Sequence, residues 1–431
     1  MKTLSRLLLL ALLAVGLTTG LSANGLNLNG FGARATSMGG AYVSLASDAT
    51  AVFWNPAGLA QLKQGTFGLY GDLLIPTSTY SLGAFSMNTN KKYYPAGLVG
   101  YFQPIGDRIV VGVGAFTLSG LGTSWDNTGV EAALLAARGL PPAALVPGGT
   151  ITDYKWQSFI ASISLAPSIA VQLTDQLFLG AAVNINYGLF KMDRWAGVMF
   201  VNPPGFYFNP GQQTLDVKGW GFGATVGLLY KPVEQVSIGV TYRTQTKMKM
   251  SGSLEMTNMG VLGLPVSSGT KMDVTSPMWL AGGISFKPVP ELILSFDAHY
   301  TNWGKVGTIP LVFDDDLWAE NLAGESLEML WKDKIQLRGG VEYSFGNLAI
   351  RGGYYYDPAP APDETLNVLI PSFTFNSFAG GFGYKTGGLR VDVGFEYLMG
   401  QKRTITSPTA AMPGVYGMKI LVPVIGLTYA F

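Results

Sequence analysis

Cysteine is absent from the 431-residue sequence, and histidine occurs only once. A disulfide framework and thiolate metal sites are therefore excluded. Charged residues are also scarce, at 13% of the chain, which is about half the usual share of a soluble protein. Because 28 basic residues stand against 27 acidic ones, the net charge gives no electrostatic argument for nucleic acid as a partner.

Long apolar runs are missing beyond the first residues of the chain. No uninterrupted run of 18 apolar residues follows them, so α-helical membrane spans are not predicted. Residues 1–23 have the form of a secretory signal peptide: basic residues, an apolar core at 7–17, and small residues in which cleavage after Ala23 or Gly20 is expected. An N-terminal membrane anchor is the alternative, but the apolar core is too short to span a bilayer. The sequence predicts an exported protein.

The chain is rich in glycine (57 residues) and in aromatic residues (12%), and its mean hydropathy is positive, at +0.27. Many segments of roughly ten residues alternate apolar and polar side chains with a period of two. One of them places Leu179 and Val183 on one face and Asn184 and Asn186 on the other. Such alternation fits a soluble β-sandwich with the apolar face in its core, or a membrane β-barrel with the apolar face against lipid.

Three further features favour the barrel. Tyrosines end the apolar faces, where interface girdles belong: Tyr187, Tyr300, Tyr397, Tyr429. Short turn-like stretches at 104–108, 231–235 and 287–291 alternate with longer segments, as periplasmic turns alternate with outer loops. The last alternating segment ends on Phe431, and a terminal aromatic residue is typical of outer-membrane barrels. The sequence therefore predicts an all-β fold, a transmembrane antiparallel β-barrel in the outer membrane of a Gram-negative bacterium.

The N-terminal stretch "GFGARATSMGGAYVSLASDATAVFWNPAGLAQL" (residues 30–62) breaks this pattern, because it reads as turns and short helices. It resembles the N-terminal signature of the FadL family, outer-membrane transporters of long-chain fatty acids and other hydrophobic compounds, above all in Asn55, Pro56 and Ala57. The resemblance continues in order through the motifs "GLGTSWD" (120–126), "DRWAG" (193–197), "SIGVTYRT" (237–244), "HYTNWGK" (299–305), "WKDKIQLRGGVEY" (331–343), "RGGYYYDPAPAPDET" (351–365) and "VDVGFEYLMGQ" (391–401). It covers almost the whole mature chain.

The resemblance implies a barrel of 14 strands whose lumen is plugged by an N-terminal hatch of short helices. The domains are then the signal peptide 1–23, the hatch 24–64 and the barrel 65–431. The expected hatch residues are Phe53, Trp54, Asn55, Pro56 and Ala57. A barrel of this size would otherwise hold a water-filled lumen, and an apolar plug replaces that water. The alternative is that this segment is only a strand leader packed on the barrel base.

Two predicted outer loops carry apolar side chains suited to the first capture of a hydrophobic ligand, as two loops do in the family. The first reads as one or two short helices within residues 131–149, with Leu134, Leu135, Leu140 and Leu145. The second is residues 199–211, with Phe200, Phe206, Tyr207 and Phe208. Each buried methylene of an acyl chain contributes about 0.8 kcal/mol, so a shallow groove is sufficient. The alternative is that these side chains only pack the loops together.

A carboxylate head group needs a cation. Counting strand alternation predicts that Arg194, Lys332, Lys334 and Arg338 point into the lumen, although one bulge reverses such a count. Arg194 and Lys332 also match basic head-group residues of fatty-acid members of the family. Alternatively, these cations pair with lumenal acids and merely fill the barrel.

An exit through the barrel wall is the third part that the resemblance implies. In the family a kinked strand opens a lateral gap, and the corresponding region here is residues 111–125. It contains Gly112, Gly114, Gly120 and Gly122, and glycine within a strand often marks a bulge or bend. This chain has Thr117, Leu118 and Ser119 where many members have a proline-containing segment.

The predicted function is therefore uptake of long-chain fatty acids or similar hydrophobic molecules by a protein that is not an enzyme, has no cofactor or metal, contacts outer-membrane lipid and works as a monomer. The alternatives are an aromatic-hydrocarbon channel of the same family and a general diffusion porin. A porin should carry a charge-rich constricting loop, which this sequence lacks. Retention of both Arg194 and Lys332 favours fatty acids over a neutral hydrocarbon.

Neither a hydrolase nor a calcium-binding protein is predicted. His299 lies near Asp297 on one predicted face, but no nucleophile motif such as G-x-S-x-G accompanies them. Asp314, Asp315 and Asp316 offer carboxylates of the kind that bind calcium, although a solvated outer loop is the simpler interpretation.

Overall fold

The computed structural model describes residues 27–126, 128–137, 139, 154–202, 205–407 and 409–431, with the backbone alone for 197–202, 205–209 and 261–262. The predicted signal peptide lies outside these residues. No helix in the described part of the chain is long and apolar enough to cross a membrane.

Fourteen antiparallel strands form a closed barrel. They are β1 Thr66–Leu82, β2 Tyr94–Ile105, β3 Ile109–Asp126, β4 Gln157–Gln172, β5 Leu177–Asn202, β6 Gly205–Val233, β7 Val236–Arg243 with Thr246–Met256, β8 Ser267–Ser276 with Trp279–Val289, β9 Leu292–Thr301, β10 Lys334–Phe345, β11 Leu348–Asp357, β12 Phe375–Thr386, β13 Leu389–Gly400 and β14 Gly414–Ala430. Each strand pairs with the next along the chain, and pairing of β1 with β14, from Thr66↔Ala430 to Ser81↔Val415, closes the wall. The predicted fold and strand number are confirmed.

The remaining elements are short. The helices are α1 Ala33–Ser37, α2 Ala51–Trp54, α3 Val130–Ala137 and α4 Asp316–Asn321, and the 3-10 helices are Pro56–Gln61, Met259–Leu262 and Trp303–Lys305. Short strands lie in the loops at Phe85–Thr89, Thr308–Pro310, Val312–Phe313, Ser326–Glu328 and Arg403–Ile405. All long loops lie at the end of the barrel opposite the first residue of β1 and the last residue of β14. This is the outer end in bacterial barrels.

Alternation along each strand divides lipid-facing from lumenal side chains. On β5, Leu179 and Val183 are 38% and 53% exposed, whereas Asn184 and Asn186 are each 2% exposed. A soluble sandwich has the opposite arrangement, with the apolar face buried and the polar face in water. Exposed apolar and buried polar faces are expected where lipid replaces water outside the wall.

The prediction of an irregular outer loop at residues 199–211 is wrong. β5 and β6 continue as a paired hairpin up to Asn202↔Gly205, so Phe200, Phe206, Tyr207 and Phe208 lie on its strands. Their side chains are outside the described part of the structure. A two-residue connection is sufficient between antiparallel strands.

Candidate binding site in the barrel lumen

The N-terminal segment before β1 lies against the inner wall of the barrel. Phe31, Tyr42, Phe53 and Trp54 in it are each less than 5% exposed. Phe53 is at the centre of an aromatic cluster, with edge-on contacts to Phe31 at 5.1 Å, Trp54 at 5.1 Å and Phe116 of β3 at 5.5 Å between ring centroids. The segment therefore packs into the lumen through large aromatic side chains.

Asn55 fixes this segment to the wall through its amide. Its Oδ1 accepts a hydrogen bond from Ala57 N at 3.1 Å and caps the 3-10 helix that begins at Pro56. Its Nδ2 donates to Val43 O at 2.9 Å and to Leu228 O of β6 at 3.0 Å. An amide is needed here because the same side chain both accepts and donates.

Glycines of the wall allow the segment to approach the strands closely. A Cβ at Gly180 of β5 would overlap the backbone of Pro56 and Ala57, and a Cβ at Gly227 of β6 would overlap Asn55 Oδ1. By contrast, a Cβ at Gly282 of β8 would meet nothing closer than 4.0 Å. Glycine is therefore required at the docking positions for steric reasons.

Replacing Gly180 with valine is expected to lower the free energy of unfolding by about 1–3 kcal/mol, because the new side chain overpacks the contact with Pro56. Heat-induced unfolding in detergent, followed by gel mobility, measures the change. Gly282→Val is the matched control and should unfold like the wild type. Equal effects of the two variants would contradict close docking at Gly180.

Asp297 of β9 supplies a second attachment. Its Oδ2 accepts hydrogen bonds from Tyr42 N and Val43 N, both at 2.8 Å, and stands 3.3 Å from His299 Nε2. His299 packs between Trp54 and Trp279, with centroids at 6.2 and 5.1 Å. Asp297 and His299 thus hold the N-terminal segment in place.

Two arginines connect the segment to the wall: Arg34 belongs to the segment and is partly buried, and Arg243 belongs to the wall and is buried. Arg34 of α1 donates through Nε and Nη2 to the two carboxylate oxygens of Glu342 on β10, at 2.8 and 2.7 Å. Glu342 also accepts from Arg351 of β11. Arg243 of β7 donates from Nη2 to Phe53 O at 2.7 Å, and its guanidinium lies 4.6 Å from the Phe53 ring centroid. Charge-assisted bonds in a buried setting are strong.

The principal cavity, about 70 Å³, lies between the N-terminal segment and the inner faces of β1, β10, β13 and β14. Its lining is largely apolar and includes Leu28, Phe31, Leu74, Phe375, Leu398 and Ile420. Four ionisable side chains also line it: Asp72, Arg338, Asp357 and Glu396. An apolar pocket with a few polar groups is the usual form of a small-molecule site.

Arg338 is the cation of this cavity and is 2% exposed. It donates from Nη1 to Gly39 O at 3.2 Å and from Nη2 to Gln336 Oε1 at 2.9 Å, and its guanidinium stacks 4.5 Å from the Tyr355 ring centroid. Its Nε has no hydrogen-bond partner within the described residues. A buried donor without a partner is costly.

A second cavity of about 30 Å³ lies higher in the lumen, under the outer loops. It is lined by Phe190, Met248, Met250, Ile309, Leu327 and Met329, among others. Among the described residues that line it, none is charged. Asn27 borders both this cavity and the principal one, so the start of the described chain separates them.

β3 is bulged beside both cavities. Its register with β4 shifts between Thr117 and Ser119, and the carbonyl of Leu118 accepts a hydrogen bond from Leu28 N at 3.1 Å. Pairing of β2 with β3 ends at Leu98↔Phe116, so residues 118–123 have no ladder partner on the β2 side in the described part of the chain. The predicted irregularity thus lies within the expected region.

The predicted glycines of β3 have different surroundings. Gly120 and Gly122 lie beyond the bulge, and the Tyr94 hydroxyl of β2 lies where a Gly122 Cβ would make contact, at 3.1 Å. Gly112 and Gly114 lie below the bulge in the regular ladder, and a Gly114 Cβ would approach Val52 at 2.8 Å. Gly120 and Gly122 lie within the stretch that has no partner on the β2 side, whereas Gly112 and Gly114 lie in the paired part of β3.

The predicted head-group cations Arg194 and Lys332 lie in different settings. Arg194 faces the lumen side of β5, as the alternation count predicted, and its Nε donates to Gln213 Oε1 on β6. Lys332 precedes β10, which begins at Lys334, and is exposed. Strand alternation does not assign its orientation, because it cannot be extended past a strand end, and its head-group role stays a prediction. Neither residue lines the two cavities described above.

The predicted capture helix is present as α3. Leu134 and Leu135 are 5% and 4% exposed, and Glu131 Oε1 of the same helix accepts from Trp156 Nε1 at 2.8 Å. Leu140 and Leu145 lie outside the described residues. In this conformation the described leucines pack within the protein, and their role in capture stays a prediction.

The aspartates of the predicted outer loop have local partners. Asp314 pairs with Lys271 at 2.5 Å, and Asp315 Oδ1 caps α4 by accepting from Trp318 N at 3.0 Å. Among the described residues, no group of three or more metal-ligating side chains is found.

Sequence reasoning missed the residues that fix the N-terminal segment, namely Arg34, Arg243, Asp297 and Glu342, and it gave Arg338 no ligand role. Alternation already predicted an inward Arg338. For the others, the available signal was an ionisable residue at a strand position whose neighbours on the other face are apolar, such as Asp297 between Phe296 and Ala298.

Residues 151–430 match the model of a family described as outer membrane protein transport protein (OMPP1/FadL/TodX). Across 454 aligned residues the chain is 25% identical to the long-chain fatty acid transport protein of Escherichia coli O6:H1, covering 95% of this chain and 94% of that protein.

Solved structures share the fold. A Pseudomonas aeruginosa FadL homologue superposes with a TM-score of 0.77 at 16% identity, covering 95% of this chain and all of the other. The Ralstonia pickettii toluene transporter TbuX gives a TM-score of 0.67 at 21% identity, covering 94% of this chain and 99% of the other.

Proposed function

The chain belongs to the OMPP1/FadL/TodX family of outer membrane transport proteins, and on this premise we propose that it takes up long-chain fatty acids or similar hydrophobic molecules. It is an outer-membrane transporter of hydrophobic compounds and not an enzyme. The ligand is captured at the outer loops, enters the lumenal cavities and leaves sideways through the barrel wall. The N-terminal segment is the hatch that keeps the lumen from becoming an aqueous pore. The observation that carries the proposal is the apolar principal cavity formed between this segment and the wall.

The arrangement of the cavities supports a lateral exit. Leu121 lines the principal cavity and Ser119 lines the second one, and both belong to the stretch of β3 without a partner on the β2 side. A ligand in either cavity is therefore next to a part of the wall that lacks ladder hydrogen bonds on its β2 side. A hydrophobic molecule that passes there reaches lipid without crossing water.

Arg338 is the head-group residue that the cavity itself favours. Its free Nε offers a charge-assisted hydrogen bond to a carboxylate, while the apolar lining suits an acyl chain. Arg194 remains a candidate for an earlier contact, because it lies on the inner face of β5 nearer the outer loops. The exposed Lys332 is a candidate only for contact at the outer rim.

Uptake of a neutral aromatic hydrocarbon is the second candidate. Two observations favour it: the second cavity has no charged residue among its described lining, and the principal cavity places three acidic side chains around one arginine. Acidic neighbours weaken the attraction of Arg338 for a carboxylate. The TbuX structure belongs to a toluene transporter, which has the same fold.

Binding of a radiolabelled long-chain fatty acid and of radiolabelled toluene to the purified protein in detergent tests the proposal. We expect the wild type to bind the fatty acid saturably. An Arg194→Ala, Lys332→Ala double variant should bind it more weakly if these cations contact the head group. The double variant should bind it like the wild type if Arg338 is the main contact. Saturable toluene binding without fatty-acid binding would select the hydrocarbon. Failure of both ligands to bind would contradict uptake of hydrophobic molecules of these classes.

A further inference from the structure

Five lysines face outward on four neighbouring strands at the outer end of the barrel. They are Lys191 on β5, Lys218 on β6, Lys247 and Lys249 on β7, and Lys271 on β8. Lys218, Lys247, Lys249 and Lys271 are exposed, and the Lys191 side chain is 55% exposed. We refer to these five residues as the lysine patch.

Strand register puts the patch at the edge of the lipid-facing surface. Lys249 is directly opposite Trp220, which is 56% exposed and contacts Tyr187 of β5 with ring centroids at 4.7 Å. Lys218 lies two residues before Trp220 on β6, about 7 Å closer to the outer end of the barrel. Exposed aromatic rings mark the interface of lipid chains and head groups in membrane barrels, so the lysine ammonium groups lie at head-group height.

The charges of the patch are only partly compensated. Lys191 pairs with Asp216 at 2.5 Å, and Lys271 with Asp314 at 2.5 Å. Asp273, the residue opposite Lys249, is bound at 2.6 Å by Lys247 instead. Within the part of the chain that the structure describes, neither Lys218 nor Lys249 has an ion-pair partner. The centre of the patch is therefore positively charged.

The outward face at the same end of the opposite wall has a different composition. There β1 has Thr77 and Thr79, β13 has Met399, and β14 has one lysine, Lys419. Other exposed lysines at the outer end, such as Lys91, Lys92 and Lys402, lie in loops. Lysines on outward strand faces are thus concentrated on one side of the described barrel wall, which fits a partner that lies against that wall. Lysine also binds phosphate well as a compact point charge.

We propose that the lysine patch binds the phosphate groups of an anionic glycolipid in the outer leaflet, with Lys218 and Lys249 as the principal contacts. The acyl chains of this lipid lie against the apolar surface directly below, and its phosphates reach the unpaired ammonium groups. The site is on the outside of the barrel and is separate from the lumenal ligand route.

Native mass spectrometry of the full-length protein in detergent tests this interaction. The protein is titrated with diphosphorylated lipid A, with the same lipid lacking its phosphates, and with inorganic phosphate. The wild type is expected to prefer the phosphorylated lipid by about tenfold or more, since each lysine near an anionic surface contributes about 1 kcal/mol. A Lys218→Gln, Lys249→Gln double variant should lose most of that preference.

Lys287→Gln, Lys385→Gln is the matched control, because both lysines are exposed at the turn end of the barrel. It should bind the lipid like the wild type, and all variants should keep the heat-dependent gel mobility of the folded barrel. The proposal is overturned if the Lys218, Lys249 variant keeps its preference, if removal of the lipid phosphates changes nothing, or if inorganic phosphate displaces the lipid at equal concentration.

Discussion

Replacing Arg34 with methionine is expected to lower the free energy of unfolding by about 3–5 kcal/mol. The substitution removes a bidentate partner from Glu342, whose side chain is only 6% exposed. Arg351 remains beside that carboxylate, so the lower part of this range is expected. Removing one member of a buried pair is costly because the charge that stays buried loses part of its compensation. Urea unfolding in detergent, monitored by gel mobility, measures the change.

Two controls separate charge from packing in this experiment. An Arg34→Met, Glu342→Gln double variant removes both charges of this pair while Arg351 keeps Asp392 as its partner, so it should be more stable than Arg34→Met alone. Lys271→Met removes an exposed ion pair with Asp314 and should cost less than about 1 kcal/mol. If Arg34→Met unfolds no more easily than Lys271→Met, the attachment of α1 to β10 does not depend on this pair.

The same variant tests the proposed hatch. Arg34 is one of several attachments, together with Asn55, Arg243 and Asp297, so its loss should loosen the segment without releasing it. In planar bilayers we expect Arg34→Met to show more frequent conducting events than the wild type. Unchanged conductance alongside reduced stability would mean that another part of the chain closes the lumen.

Replacing Arg338 with glutamine is expected to weaken fatty-acid binding by about 10- to 100-fold, because a hydrogen bond to a charged group contributes about 1.5–3 kcal/mol. Glutamine retains hydrogen-bonding capacity toward Gly39 O but removes the positive charge. Equilibrium binding of a radiolabelled long-chain fatty acid to wild type and variant gives the ratio.

The methyl ester of the same fatty acid is the control on the ligand side. It keeps the acyl chain and removes the negative charge, so the Arg338→Gln variant and the wild type should bind it with similar affinity. If the variant weakens the acid and the ester to the same degree, Arg338 acts by holding Gly39 and Gln336 in place. The Arg338→Gln variant is expected to bind toluene like the wild type if Arg338 acts on ligands only through its charge.

Period-two alternation is the sequence signal that worked best, and for a local reason. Successive side chains of a strand must point to opposite faces, so Arg194 and Arg338 could be assigned to the inner face from their neighbours alone. The same rule does not apply at Lys332, which lies before the strand, and it could not foresee the bulge beside Leu118. Both failures occur where backbone geometry departs from a regular ladder.

The N-terminal segment shows the limit of local reasoning more clearly. The motif around Asn55 marked a non-β element, and the cap on the following 3-10 helix is readable from Asn-Pro. Its attachment to the wall is not, because the acceptor Leu228 O and the space beside Gly180 lie more than 100 residues away in sequence. Those contacts exist only once the barrel has closed around the segment.

By itself, the sequence determined the class of this protein, an exported β-barrel with a lipid-facing outer surface, because alternation and scarce charge are local or compositional properties. Only the tertiary structure decided which ionisable groups share a cavity, which cations are paired and where the wall lacks a ladder partner. These properties depend on side chains brought together from strands such as β1, β10 and β13, and such meetings are fixed by register and closure, which no local pattern encodes.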